Sequence, residues 1–137
     1  MRYPELLADV PDDVCRLLDI DATSRVVMIE LETVSHIFER RSFRDAATIV
    51  GFLARQEFHP VFCGRDRSYP RTFFIMELPF VGAREWIRII LKRVSATISA
   101  NGRDEIWVAT VHLVGNSTLF QMLKSRRFIM HRTTSGR

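Results

Sequence analysis

The sequence has no apolar run approaching the roughly 18 residues needed to span a bilayer, so no transmembrane helix and no membrane partner is expected. Its opening stretch, MRYPELLADVPDD, lacks the apolar stretch of a signal peptide. Cysteine is scarce: Cys15 and Cys63 lie far apart, without metal or redox spacing. They are expected to be reduced, packed thiols of a cytoplasmic protein. The four histidines stand singly, none beside a CxxC or HxxxH pattern, which leaves a metal site little support. Internal repeats and low-complexity segments are also missing. These absences leave a globular domain without a metal.

What is present fits that class. The 137 residues are enough for one domain with a real core, and 47% hydrophobic with 26% charged residues is a soluble composition. The formal charge is +4, with a pI near 9.7. The excess is uneven. Arg65, Arg67 and Arg71 flank one loop, and Lys124, Arg126, Arg127, His131, Arg132 and Arg137 load the C-terminal stretch. Such a basic rim favours anionic partners: cofactor phosphates, nucleic acid or an acidic protein face. It is equally compatible with a plain solvated surface.

Hydrophobic spacing sets out the elements. Residues 11–19 read as a short helix, with Pro11 in its first turn, Asp12 and Asp13 at its positive end and Val14, Leu17 and Leu18 on one face. Residues 25–31, RVVMIEL, read as a strand. Helices are expected over 32–41 and 43–56, the latter placing Ala46, Ile49, Val50 and Leu53 on one face. FHPVFCG and RTFFIMELPF are two strands joined across RDRSYP. Residues 83–100 fit a strand for a few positions. As a helix, they align Ile87, Ile90, Leu91, Val94 and Ile98 over nearly five turns, ending at Asn101-Gly102, and length favours the helix. DEIWVATVHLV (104–114) is a central strand, 116–126 a helix begun by Asn116-Ser117-Thr118, and FIMHR a last strand. The expected fold is α/β (α+β), a central mixed sheet flanked by helices, preceded by a helical extension over 1–24 and ending in a frayed tail at 133–137.

The second half of this order resembles the GNAT superfamily of acyl-CoA-dependent N-acyltransferases. That family commonly has a long helix, a Gly turn, an apolar strand and then Asn-x-x-Ala-x-x-x-Tyr-x-x-x-Gly-Phe. Here Gly102 falls at the turn, EIWVATVHL at the strand, Asn116 at the Asn, Leu119 at the Ala and Phe128 at the Phe. The resemblance covers residues 71–132 and implies a three-layer GNAT-like fold. GNSTLFQMLKSRRF, with its Leu123-Lys124 pair, is also similar to small GNAT-like proteins of tailed phages, which implies host cytoplasm or virion as location. It also implies two functions. One is N-acetyl transfer from acetyl-CoA to a small-molecule or protein amine. The other is a non-catalytic, virion-associated or interaction role, with protein partners on the basic rim.

The resemblance implies site residues as well. Glu77, on the strand before the expected long helix, falls where a carboxylate often deprotonates the amine; the alternative is an outward-facing strand residue. His112 can replace it as base, or be structural. Gly82, Ala83 and Arg84 form the short cradle left for the pyrophosphate, with Arg84 and Arg88 as cationic contacts and Asn116 as a helix cap that also meets the pantetheine arm. Two departures weaken the chemistry. Ala83, Glu85 and Ile87 occupy the family's usual glycine positions, so acetyl-CoA binding is expected to be weak or absent. Leu123 stands at the frequent Tyr position and has no proton to donate to the leaving thiolate.

A different class comes from ETVSHIFERR. Glu32, His36 and Arg40 at i, i+4 and i+8 form one stripe, an acid, a base and a phosphate contact suited to metal-independent RNA cleavage. Strand–helix–helix beginnings with such a His also occur in small toxin-like ribonucleases. That function needs residues 84–94 as a strand, against the helical pattern; the alternative is a solvated helix face.

Overall fold

A computed structural model describes residues 5–95 and 102–134. The elements are β1 (Glu5–Asp9), α1 (Asp12–Leu18), β2 (Val26–Ile29), α2 (Leu31–Arg40), α3 (Phe43–Leu53), β3 (Phe62–Asp66), β4 (Thr72–Glu77), β5 (Trp86–Val94), β6 (Glu105–Val114), α4 (Asn116–Lys124) and β7 (Phe128–Arg132). The fold is mixed α+β around one seven-stranded sheet in the order β1-β2-β6-β5-β4-β3-β7. β2 and β6 run parallel, and every other neighbouring pair is antiparallel. Among the described residues no helix is long and apolar enough to cross a membrane.

The expected helix over 83–100 is overturned. Residues 86–94 are strand β5, paired with β4 on one side and β6 on the other; residues 96–100 lie outside the described residues. Ile87, Ile89 and Leu91 are buried on one face, while Arg88, Ile90 and Lys92 occupy the other. The helical spacing was real but incidental. β-branched residues in a segment hydrogen-bonded along both edges settle as a strand. The expected helical extension over 1–24 is also corrected, because Glu5–Asp9 pairs antiparallel with β2 before α1 begins. At the other end Thr133 is buried and donates its hydroxyl to the Pro60 carbonyl, and Thr134 N–H donates to Asp13 at 2.7 Å. The expected fraying at these two positions is therefore not seen; residues 135–137 lie outside the described residues.

Each sheet face carries its own core. On the first face, Val14 and Leu18 of α1, Ile37 of α2 and Ile49 and Phe52 of α3 pack on Val27, Ile75, Ile89 and Leu91. On the second, Leu119 and Met122 of α4 pack on Phe74, Met76 and Val114. α4 has nine residues and so spans about 13 Å, whereas seven strands span about 29 Å. Much of the second face is left without a helix over it. Both cysteines are buried and unpaired, and burial pushes the Cys63 thiol up to about 12.

Gly64 decides how closely β7 can approach β3. A Cβ there would lie 2.2 Å from the Ile129 carbonyl oxygen and 2.8 Å from the Phe74 ring. The backbone oxygen cannot swing aside, so the strand pair would have to part. Gly64→Ala is expected to lower the unfolding free energy by about 1–3 kcal/mol, measured by urea denaturation; an unchanged midpoint would disprove this tight approach.

Candidate functional site

A crevice forms where β2 stops and β6 continues. β2 pairs with β6 only around Val27–Ile106 and Met28–Trp107, and the chain then turns into α2. Beyond that point β6 runs on to Val114 with an edge that β2 does not cover. Arg41, just past the end of α2, donates from Nη2 to the Val111 carbonyl on that edge. The crevice has a volume of about 700 Å³; Glu32, His36, Arg40 and Arg41 come from the α2 side, Thr110 and His112 from β6. Ligand sites commonly lie off the carboxyl ends of strands, where the connection leaves the sheet.

A bulge orients the β6 contribution. The β5–β6 register shifts so that Ile90 pairs with Thr110 and Leu91 with Val108, leaving Ala109 as the extra residue. Without that residue, His112 would face the α1–α3 core. With it, His112 stands opposite Arg88 on the second face. Its imidazole is half-buried, and its pKa lies below the ordinary 6.5, first through burial and then through the positive charges of Arg88 and Arg41. At neutral pH it is an uncharged acceptor. On α2, His36 Nε2 lies 4.0 Å from Glu32 Oε1, and both side chains are about half exposed. The stripe Glu32, His36 and Arg40 thus lines the crevice together with His112. Sequence reasoning missed Arg41 and Thr110. The Arg40-Arg41 doublet was a visible signal, whereas Thr110 depends on the bulge.

The remaining expected site residues are dispersed. Glu77 is buried on the first face, where Oε1 accepts from Arg55 at 2.6 Å and Oε2 from the His59 N–H at 2.8 Å. It is therefore not an outward-facing strand residue, and it stands on the opposite face of the sheet from His112. Burial raises its pKa, with Arg55 and the His59 N–H opposing. Its oxygens tie the α3–β3 connection to β4. Gly82, Ala83 and Arg84 line a pocket of about 270 Å³ against Arg44 and Thr48 of α3. They form a turn, with Gly82 at φ +85° and the Ala83 N–H donating to the Phe80 carbonyl at 3.2 Å. No helix begins there, so the aligned N–H groups of a helix start are not available to a pyrophosphate. Arg88 lines a separate cavity. Asn116 does not cap α4: Gly115 is the N-cap, and Asn116 Oδ1 accepts from Trp86 Nε1 at 2.8 Å. Part of the basic rim is committed internally, Arg65 to the Leu18 carbonyl and Arg127 to Asp66.

Glu77→Ala would leave the His59 N–H and the Arg55 guanidinium without their acceptor. It is expected to cost about 1–3 kcal/mol of stability, read by thermal and urea unfolding. Unchanged stability would contradict the structural role assigned to this carboxylate. Comparison with protein families, with curated proteins and with solved structures returned no match.

Proposed function

We propose that the protein is a metal-independent ribonuclease acting at the crevice between α2 and the free edge of β6. The observation that carries this reading is the meeting of Glu32, His36, Arg40 and Arg41 with a neutral His112 in one crevice. Cleavage by the neighbouring 2′-hydroxyl needs a base, an acid and positive charge at the phosphate. His112 takes the 2′-hydroxyl proton as O2′ bonds to phosphorus. His36, beside Glu32, gives a proton to the departing 5′-oxygen as the P–O5′ bond breaks. Arg40 and Arg41 balance the charge on the pentavalent phosphorus; Arg41 holds the Val111 carbonyl through one of its five N–H donors. The products are a 2′,3′-cyclic phosphate and a 5′-hydroxyl. All three roles fall to side chains of this chain, so the reaction requires no metal. The extended conformation of residues 86–94, which this function calls for, adds support.

Purified protein is expected to cleave single-stranded RNA in the presence of EDTA and to leave 2′,3′-cyclic phosphate ends. His112→Ala should slow cleavage by about 10²–10⁴-fold. The base must be unprotonated, and its pKa is depressed. The rising limb of the pH–rate profile should therefore have its midpoint below 6.5. An intact RNA, a loss of cleavage in EDTA or a His112→Ala protein as fast as the parent would each refute the proposal.

A second reading is an acyl-CoA N-acyltransferase, or a non-catalytic protein on that fold. Its support is the order β6, Asn116 turn, α4, β7, which matches the resemblance. Gly82, Ala83 and Arg84 would have to receive the pyrophosphate from a turn, with Glu85 beside it. Calorimetry is expected to give weak or no acetyl-CoA binding; micromolar affinity would favour this reading over the ribonuclease.

A further inference from the structure

A second cavity, of about 380 Å³, lies on the second sheet face, the face that carries Thr110 and His112, between Arg88 and Ile90 of β5 and the ends of β3, β4 and β7. Its volume is within the range of small-ligand sites, roughly 300–1,000 Å³. Aromatic surface dominates it: Tyr69 at the rim, Phe74 and Phe128 deeper. Arg127 is held at its wall by both Asp66 oxygens, at 3.0 and 2.8 Å, with its guanidinium 5.8 Å from the Tyr69 ring centre. Arg88 is the residue without an internal explanation. Among the described residues its buried Nε has no hydrogen-bond partner, and its Nη1 meets the weak acceptor Met122 Sδ at 3.4 Å. An unpaired, half-buried guanidinium costs stability. Nε itself is closed to solvent, so a ligand acceptor in the cavity would meet the outer part of the guanidinium that lines it.

The cavity and the crevice are connected through cross-strand pairs. Arg88 and Ile90 line the cavity; their partners across the β5–β6 ladder, His112 and Thr110, line the crevice. Adjacent strands are about 4.8 Å apart, so a ligand passing from His112 onto the second face meets Arg88 and Ile90, the near wall of the cavity, within one strand spacing. Stacking rings, arginines and an adjacent phosphate-binding crevice suit a single strand whose bases are unpaired and free to turn inward.

We propose that this cavity seats a base of single-stranded RNA next to the scissile phosphate, with Tyr69 stacking on the base and Arg88 donating to an acceptor on its edge. The proposal rests on the ribonuclease reading for the position of that phosphate, and it is tested by binding rather than by cleavage. The probe is a fluorescent RNA hexamer of mixed sequence, 2′-O-methylated throughout so that no 2′-hydroxyl can attack. A matching hexamer without bases serves as control. Tyr69 is exposed, so Tyr69→Ala should fold normally; it should weaken hexamer binding, read by anisotropy, roughly 5- to 150-fold. Arg88→Met should weaken it within the same range while leaving the melting temperature unchanged or raised, because an unpaired charge is removed. The baseless strand should bind the parent and Tyr69→Ala equally.

Parent-like hexamer binding by both variants, or no binding by the parent, would overturn the proposal. So would a Tyr69→Ala loss of equal size for the baseless strand. The two readings separate cleanly. A parent that binds the hexamer through Tyr69 but leaves unmodified RNA intact retains the base site and refutes the nuclease. A parent that cleaves RNA, with both variants binding and cleaving alike, retains the nuclease and refutes the base site.

Discussion

The carbonyl of Val111 lies beyond the reach of the β2–β6 ladder, and Arg41 bonds to it. That contact holds the end of α2 against β6 where the β2–β6 ladder has already stopped. A longer β2 would have covered the edge with backbone and closed the crevice. Because β2 is four residues and β6 is ten, the sheet has an open step at its parallel pair. The helix that follows β2 then brings Glu32, His36 and Arg40 to that step. The short strand, the helix start and the arginine therefore act together: an edge left open needs a donor, and the donor is a cation that also lines the crevice.

The bulge at Ala109 is the second constraint. It changes the side of the sheet to which every later side chain of β6 belongs. Val108 and Val111 both reach the larger core, although three residues apart, and His112 comes out beside Arg88. Burial first, and then the positive charges of Arg88 and Arg41, lower the pKa of His112, so one irregularity places the imidazole in the surroundings that set its protonation.

Two charged residues on neighbouring strands show how environment assigns a role. Glu77 is more deeply buried than Arg88, yet both its oxygens are matched by donors, and it serves the fold. Arg88 is only half-buried, but among the described residues its Nε has no partner. A buried carboxylate with full partners is part of the framework, while a guanidinium with an unmatched Nε beside an aromatic cavity is not accounted for by the framework alone.

Much of the local structure was determined by the sequence itself. Helical spacing marked α1, α2, α3 and α4, and apolar or β-branched runs marked β2, β3, β4, β6 and β7, because each element must bury apolar side chains against its neighbours. The stripe Glu32, His36 and Arg40 was legible for the same reason: i, i+4, i+8 residues share a helix face whatever the rest of the chain does. Tertiary structure decided the elements whose pattern fits two answers. Residues 86–94 carry apolar groups at both helical and strand spacing, and pairing with β4 and β6 made them a strand. Asn116 could cap a helix or accept from an indole, and the nearness of Trp86 made the choice. His112 shares a crevice with His36 only because β2 ends early and Ala109 is extra; both are facts about pairing between distant segments, whose register is not written in the local pattern of either one.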